Sequence, residues 1–507
     1  MDIRSTAVPD GEVARRAVRA VMWNYVSWFL TKALVLVSTA ILARLLSPEE
    51  FGVVGFATVA ITLLSVLQDL GLGGALIQRR GDIEGSADTV FTINLLLGSV
   101  LALATALCAP LVAAWFDEPS VTPLLRVLGL GFVVNALAST HITLLQRRLE
   151  FSKKVVPDVG RAVVRGGTAI ALALAGAGPM SLVAGQLAGS TAAAVLAWRV
   201  EPWRPRLVVE RRLVRPLASF GLPLLGVDVV HALAGNLDYL IVGTVMGSTA
   251  LGLYTLAYRL PELLLLGAVN VLNKAVFPAF AAVQDRRDAL RRGFLSSIGY
   301  VQMLVVPLGL GMIIAAEPLV LITLGGDWTD VIPVVRVVAA FAMVSTVMVS
   351  DGDVYKAIGR PGLLLRFALV KIVLLVPALL VGAQHGLVWV GAAHLATALV
   401  IKGARAVVVA RLLDLPMSAI GRRLAPSAVA GTALVLASLP TLRATASLDP
   451  WAQLLLTAAA GSAAYVAVLV RLEHRSLHAL RRLLTRYRLE SGRNATDECA
   501  RDIEEHA

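Results

Sequence analysis

The chain has 507 residues, of which 57% are apolar and 16% charged, and its mean hydropathy is +0.77. So much apolar surface with so little charge excludes an ordinary soluble enzyme and points to a polytopic membrane protein. The 46 Lys and Arg against 34 Asp and Glu give a formal charge of +12, which loops on the cytoplasmic side of a bilayer explain without invoking nucleic acid.

A helix needs roughly 20 apolar residues to cross about 30 Å of hydrocarbon. After an N-terminal cytoplasmic segment, residues 1–20, six runs qualify: 21–42, 53–77, 90–116, 121–145, 155–177 and 180–198. They form an expected N-lobe, residues 21–198. A basic linker, 199–215, leads to six more: 216–246, 250–283, 294–316, 331–349, 363–383 and 386–401, an expected C-lobe over 216–401. A cytoplasmic loop, 402–423, precedes two last runs, 424–439 and 451–470, and residues 471–507 read as a cytoplasmic tail. The twelfth and thirteenth runs are the shortest, and twelve spans is the alternative count. Continuous apolar runs twice the length of a barrel strand make the fold all-α, with about fourteen transmembrane helices.

With the N-terminus inside, 35 of the 46 Lys and Arg fall on the cytoplasmic side and two, Arg44 and Arg443, on the other. The positive-inside rule then places both termini in the cytoplasm of a multi-pass inner-membrane protein. The longest loop on the outer side is 317–330, so no external domain is expected.

The run from Ile41 to Ala57 lies over the run from Ile241 to Ala257, with Gly52 over Gly252. A repeat at 200 residues implies two six-helix lobes related as parallel repeats, a layout that places a binding site between the halves. The last two spans lie outside the repeat.

Ionisable groups in spans are costly and mark candidate functional positions. Asn24, Trp28 and Lys32 share one face of the first helix, where Lys32 can meet phosphate or sugar and Trp28 offers a stacking face; a structural ion pair is the other reading. In the seventh span, Asp228, His231 and Asp238 form an ionisable stripe suited to binding Na⁺ or a proton, or to bridging cations of neighbouring helices. Asp69, alone in the second span, is a further coupling candidate or a counter-ion to Lys274 of the eighth span or to Lys32. The eighth span carries Arg259, Glu262, Asn270 and Lys274; Arg259 and Glu262 are one turn apart and can pair, which leaves Lys274 as the expected cavity cation of that half. Arg161 and Arg165 in the fifth span are entry-side cations for a phosphate or for anionic headgroups. No Gly-rich loop ending in Lys-Ser or Lys-Thr, no His-Glu-x-x-His and no Cys-x-x-Cys occurs, so no ATP site, metal, cofactor or catalytic residue is expected.

The segment Ile41 to Gly52, with Asp69-Leu-Gly-Leu-Gly73 and Ala75-Leu-Ile-Gln-Arg79, resembles the N-terminal region of bacterial polysaccharide flippases of the multidrug/oligosaccharidyl-lipid/polysaccharide exporter superfamily. Asn236-Leu-Asp238, Leu251-Gly-Leu-Tyr254, Ala257-Tyr-Arg259, Gly325 with Trp328, and Ala357-Ile-Gly-Arg360 continue the match in the same order. The pattern is most similar to exporters of the colanic-acid and teichuronic-acid type. The resemblance implies a fourteen-helix, two-lobed flippase that moves an undecaprenyl-pyrophosphate-linked oligosaccharide to the outer leaflet. Membrane lipids and polysaccharide polymerase machinery are the other partners to expect, and with no nucleotide site the work comes from an H⁺ or Na⁺ gradient, the membrane potential or consumption of the flipped lipid. A multidrug cation antiporter of the same superfamily and a lipid II flippase are the alternatives. An integral-membrane enzyme fits less well, because those generally need a large external loop.

Overall fold

The computed structural model describes residues 10–79, 81–267, 280, 286–360 and 362–473, with the side chains of 10–21, 69, 220–224 and 227 left outside that description. The helices run in chain order as α1 (Asp10–Ala43), α2 (Pro48–Asp69), α3 (Leu72–Gln78), α4 (Ile83–Trp115), α5 (Val121–Arg147), α6 (Phe151–Leu174), α7 (Met180–Val200) and α8 (Arg211–Pro261). A π-helical turn, Glu262–Leu266, follows α8. Then come α9 (Arg287–Ile314), α10 (Ala316–Thr323), a 3-10 turn (Gly326–Val331), α11 (Ile332–Thr346), α12 (Asp351–Ala357), α13 (Gly362–His385), α14 (Leu387–Leu412), α15 (Met417–Ala444) and α16 (Pro450–Leu472).

Among the described residues, twelve helical runs are long and apolar enough to cross a membrane. Two features raise the number of crossings to fourteen. Helix α6 is 24 residues long but carries Lys153, Lys154, Asp158, Arg161 and Arg165, too many charges to count as apolar. A straight helix of the 51 residues of α8 would be about 77 Å long at 1.5 Å per residue, more than twice the hydrocarbon thickness. Helix α8 is two spans that meet at Gly247, whose φ of 85° and ψ of −176° turn the chain back in a conformation glycine adopts without penalty. The two arms of α8 are 211–246 and 248–261.

The two short spans of the sequence reading are full-length helices: α14 has 26 residues and α15 has 28. Their turns on either side of 413–416 carry Lys402, Arg405, Arg422 and Arg423, which ended the apolar runs early without ending the helices. The expected loop at 317–330 holds a helix and a 3-10 turn instead. The second span is broken where Leu70 and Gly71 both take positive φ, 46° and 70°, so α3 continues it at an offset. The eighth span is described only to Gly267, and Asn270 and Lys274 lie outside the described residues.

Consecutive spans alternate in direction, so the turns between them collect at two faces. The turns at 44–47, 116–120, 175–179, Gly247, Gly386 and 445–449 form one, here termed the far face. Those at 148–150, 201–210 and 413–416 belong to the near face. The N-lobe packs α4 on α5, α6 on α7 and α1 on α6; the C-lobe packs α9 on α11, α11 on α14 and α13 on α14. Helices α15 and α16 pair with each other and lean on α9 and α10.

Small residues set the close contacts, as expected where helices associate in lipid by backbone approach. A Cβ on Gly185 or Gly189 of α7 would stand 2.7 Å from the carbonyl oxygen of Arg165 or Arg161 of α6. The near-face linker is held to the N-lobe. Arg206 donates its backbone N–H to Asp88 Oδ1 at 2.9 Å, Glu210 donates its own to Thr89 Oγ1 at 3.2 Å, and the buried Glu201 pairs with Arg148 at 3.0 Å. Just beyond it, Leu213 and Leu217 are buried in a cluster with Leu72 and Leu76 of α3, Val90 of α4 and Leu144 of α5.

Candidate functional site

The lobes meet at the far face. Trp328, fully buried, donates its indole N–H to the carbonyl oxygen of Ala43 at 2.7 Å, and its ring meets Phe51 edge-on at 5.5 Å. Arg44 donates to the carbonyl oxygen of Ile322 at 2.7 Å. The start of α2 crosses the second arm of α8 so closely that the backbones touch at Gly52 and Gly252. The start of α2 is itself fixed by a capping box, in which Ser47 and Glu50 each bond the other's backbone N–H, and by Pro48 in the first turn.

Beneath this seal lies a cavity of about 570 Å³ between the lobes, walled by α1, α2, α6, α7 and both arms of α8. Ser38, Thr39, Thr58, Thr62, Gln186, Asn236 and Thr255 give it neutral hydrogen-bonding groups. Its charged lining is Arg165, Arg259 and Glu262. The tight α6–α7 contact at Gly185 and Gly189 commits one side of α6 to backbone packing, and the Arg165 side chain reaches the cavity, where it is exposed.

Glu262 is shared. Its Oε2 lies 3.5 Å from Arg259 Nη1 and its Oε1 lies 3.9 Å from Lys32 Nζ, with all three side chains a third or more accessible or close to it. Pairs so open contribute little and are easily broken. Three cations, Lys32, Arg165 and Arg259, therefore face one carboxylate, and Arg165 has no carboxylate at ion-pair distance among the described residues. Such an arrangement attracts a multiply charged anion such as a diphosphate, for which Arg supplies a planar fork of donors.

The sequence candidates separate as follows. Arg165 and Arg259 line the cavity, and Lys32 is tied to it through Glu262, 3.9 Å away. Trp28 lies one turn below Lys32 on α1, against the backbone of Gly267, where a Cβ would stand 2.6 Å from Trp28 Cζ2. Asn24, a further turn down, is half-buried. Arg161 lines a second cavity nearer the near face. The Asp69 side chain lies outside the described residues.

The ionisable stripe of the seventh span divides. Asp228 and His231 are exposed on the first arm of α8, whereas Asp238 is buried in the C-lobe. Tyr254 Oη donates to Asp238 Oδ2 at 2.7 Å, and His394 Nε2 of α14 stands 3.4 Å from the same oxygen and 3.3 Å from Tyr254 Oη. The rings of Tyr258 and Phe341 enclose His394 at 5.7 and 5.1 Å. His394 was missed in the sequence reading; its one signal is a histidine inside an otherwise apolar helix. The hydroxyls and amides of the central cavity were also missed, because single Ser, Thr and Gln residues leave the apolar pattern of a span intact.

Two helical lobes about a polar central cavity, with two further helices on one side, define the class: a two-lobed polytopic membrane protein of transporter architecture. The structure aligns with the lipid II flippase MurJ in its inward closed conformation at a TM-score of 0.73, covering 90% of this chain and 100% of that one at 13% identity. It aligns with an inward-facing multidrug resistance MATE family transporter of the MOP superfamily at 0.58, covering 76% and 95% at 18% identity. At these identities the likeness is one of fold. The chain belongs to the polysaccharide biosynthesis protein family, whose model matches residues 41–333. It is 26% identical to the lipopolysaccharide biosynthesis protein WzxC of Escherichia coli K12 over 73% of this chain and 75% of that protein. It is 25% identical to the teichuronic acid biosynthesis protein TuaB of Bacillus subtilis over 69% and 73%, and 26% identical to the succinoglycan biosynthesis transport protein ExoT of Rhizobium meliloti over 74% and 76%.

Proposed function

We propose that the chain is a flippase, not an enzyme, that carries an undecaprenyl-pyrophosphate-linked oligosaccharide across the cytoplasmic membrane by alternating access, for export of a polysaccharide. The observation that carries this reading is the excess of cations over carboxylate at Lys32, Arg165, Arg259 and Glu262, placed between the lobes of a polysaccharide biosynthesis protein family member. A cationic drug would need the opposite balance. The diphosphate sits at Arg165, where it displaces Glu262 from its weak partners, while the prenyl chain stays in lipid. Given the charge bias of the loops, the far face is the outer one and both termini are cytoplasmic, so the described state is sealed from outside.

Coupling to an ion fits Asp238 best among the four candidates. It is a buried carboxylate that accepts from a phenol at 2.7 Å and stands 3.4 Å from an imidazole, a set of ligands suited to a proton or a small cation. The test uses proteoliposomes loaded with fluorescently labelled undecaprenyl-diphosphate-linked oligosaccharide. We expect the parent protein to expose the label to an external quencher and Arg165→Ala to lose that exposure. No acceleration over protein-free vesicles would refute the proposal.

A further inference from the structure

Outside the central cavity, the N-lobe holds a second polar cavity of about 340 Å³, walled by α3, α5 and α6. Asn135, Ser139, Ile142, Thr143 and Gln146 line it from α5 at i, i+4, i+7, i+8 and i+11, one continuous face of the helix. Arg161 closes it from α6, and Gly73 and Gly74 leave the α3 wall without side chains. Arg161 and Arg165 are one turn apart, and the first lines this cavity while the second lines the central one. The two cavities thus share a cationic edge.

We propose that this second cavity is a carbohydrate subsite, holding sugar rings of the substrate while the diphosphate lies at Arg165; the proposal rests on the flippase reading above. The donor set decides the ligand class. Ser139 Oγ already donates to the carbonyl oxygen of Ala136 and receives Asn94 Nδ2, and Thr143 Oγ1 donates to the carbonyl oxygen of Ser139. Both hydroxyls have spent their protons and can only accept. Asn135 and Gln146 have no side-chain partner among the described residues, and each amide offers two donors and an acceptor. A row of acceptors with paired donor–acceptor amides matches sugar hydroxyls, which are donor and acceptor at once. Ile142 supplies an apolar surface for the C–H face of a ring. No carboxylate lines the cavity to take a cation. A phosphate there would have one arginine and no second charge, whereas the central cavity is lined by two arginines, with Lys32 beside its Glu262.

The experiment compares two probes on the full chain in lipid nanodiscs by native mass spectrometry. One is undecaprenyl diphosphate, and the other is the undecaprenyl-diphosphate-linked oligosaccharide pool extracted from the organism of origin. The double variant Asn135→Ala/Gln146→Ala should bind the glycosylated lipid about tenfold more weakly, a loss set by two or more hydrogen bonds, and bind undecaprenyl diphosphate within about twofold of the parent. Ile142→Trp, which fills the cavity without touching the amides, should show the same selectivity and serves if the double variant does not fold. Equal loss for both probes in both variants, or no loss for the glycosylated lipid in either, would overturn the subsite. Arg165→Ala separates the underlying reading: it should weaken both probes, and unchanged binding of both would refute the diphosphate site alone.

Discussion

Gly52 and Gly252, exactly 200 positions apart in the chain, face each other across the junction of the two lobes. A Cβ on Gly52 would stand 1.7 Å from the carbonyl oxygen of Ser248, and a Cβ on Gly252 would stand 1.8 Å from that of Pro48. Residues 48 and 248 are themselves 200 apart, so each lobe presents the same glycine to the same backbone oxygen of the other. The contact obeys a two-fold relation between the repeats, and it allows α2 and the second arm of α8 to touch backbone to backbone at the far face.

The obstacle in each case is a main-chain atom, so Gly52→Ala or Gly252→Ala must part the helices. Overpacking of this kind costs about 1–3 kcal/mol, borne only by the sealed state. We expect each variant to reach the membrane but to raise thiol labelling of a Ser248→Cys reporter from outside by about fivefold, a shift of roughly 1 kcal/mol in the seal equilibrium. Labelling at the parent rate would show that the crossing is not the seal.

Glu262 holds Lys32 and Arg259 in check. Removing its charge in Glu262→Gln leaves three cations unopposed and should tighten binding of undecaprenyl diphosphate by up to about fivefold, the scale of exposed pairs, while slowing turnover because release becomes harder. Titration by intrinsic fluorescence and flipping in proteoliposomes read the two effects separately. Weaker binding in this variant would mean that Glu262 contacts the ligand itself.

At Asp238, replacement by Asn keeps the shape and the Tyr254 contact but removes the carboxylate. We expect Asp238→Asn to bind substrate normally and to lose stimulation of flipping by a proton gradient or by membrane potential. One charge crossing 100 mV supplies about 2.3 kcal/mol, so coupling of a single proton should appear as a large difference between energised and de-energised vesicles. Stimulation equal to the parent's would exclude Asp238 from coupling.

The pair Asp351–Arg405 joins α12 to α14, with Asp351 buried and Arg405 standing over the rings of Tyr355 and Phe367 at 5.8 and 5.7 Å. Arg405→Ala removes the hydrogen-bonded partner of a buried carboxylate and leaves it only the neighbouring charge of Lys402, so the loss should stay below the figure of about 3–5 kcal/mol for a fully unpaired buried charge. The variant should be depleted from membranes, and Asp351→Asn/Arg405→Ala should recover part of the loss. Immunoblots of membrane fractions and detergent-melting curves report both.

Orientation is open to direct measurement. Reporter fusions at Glu84, Arg211 and Arg423 should score cytoplasmic, and those at Ser248 and Asp327 outside. An external Arg211 would reverse the assignment of the faces.

The apolar runs and the 200-residue repeat were enough to read the helical architecture and to point at Gly52 and Gly252, since both signals are local or periodic. The site was legible in part. A cation in a span is visible in the sequence, which singled out Lys32, Arg165 and Arg259 alike. Which of them already has a carboxylate depends on Glu262 reaching α1 from another lobe, and no spacing encodes that. The expected stripe from Asp228 to Asp238 divides, since only Asp238 is buried, beside His394 of α14. Asn135 and Gln146 left no trace because a neutral amide hardly alters the hydropathy of its span, and His394 left only the weak signal of a single imidazole in an apolar helix.

The near-face linker carries a mechanical consequence. With Asp88, Thr89 and Arg148 gripping residues 201–210, and Leu213 and Leu217 sunk among α3, α4 and α5, the first two turns of α8 are anchored in the N-lobe. At Asp238 the same helix is built into the C-lobe. Helix α8 is therefore a torsion shaft clamped at both ends. Any rocking of one half against the other has to bend or twist the stretch between 217 and 238, or else extract two leucines whose burial is worth about 1.5–3 kcal/mol each. Pro223 and Gly226 lie within that stretch, residue types that soften a helix without severing it.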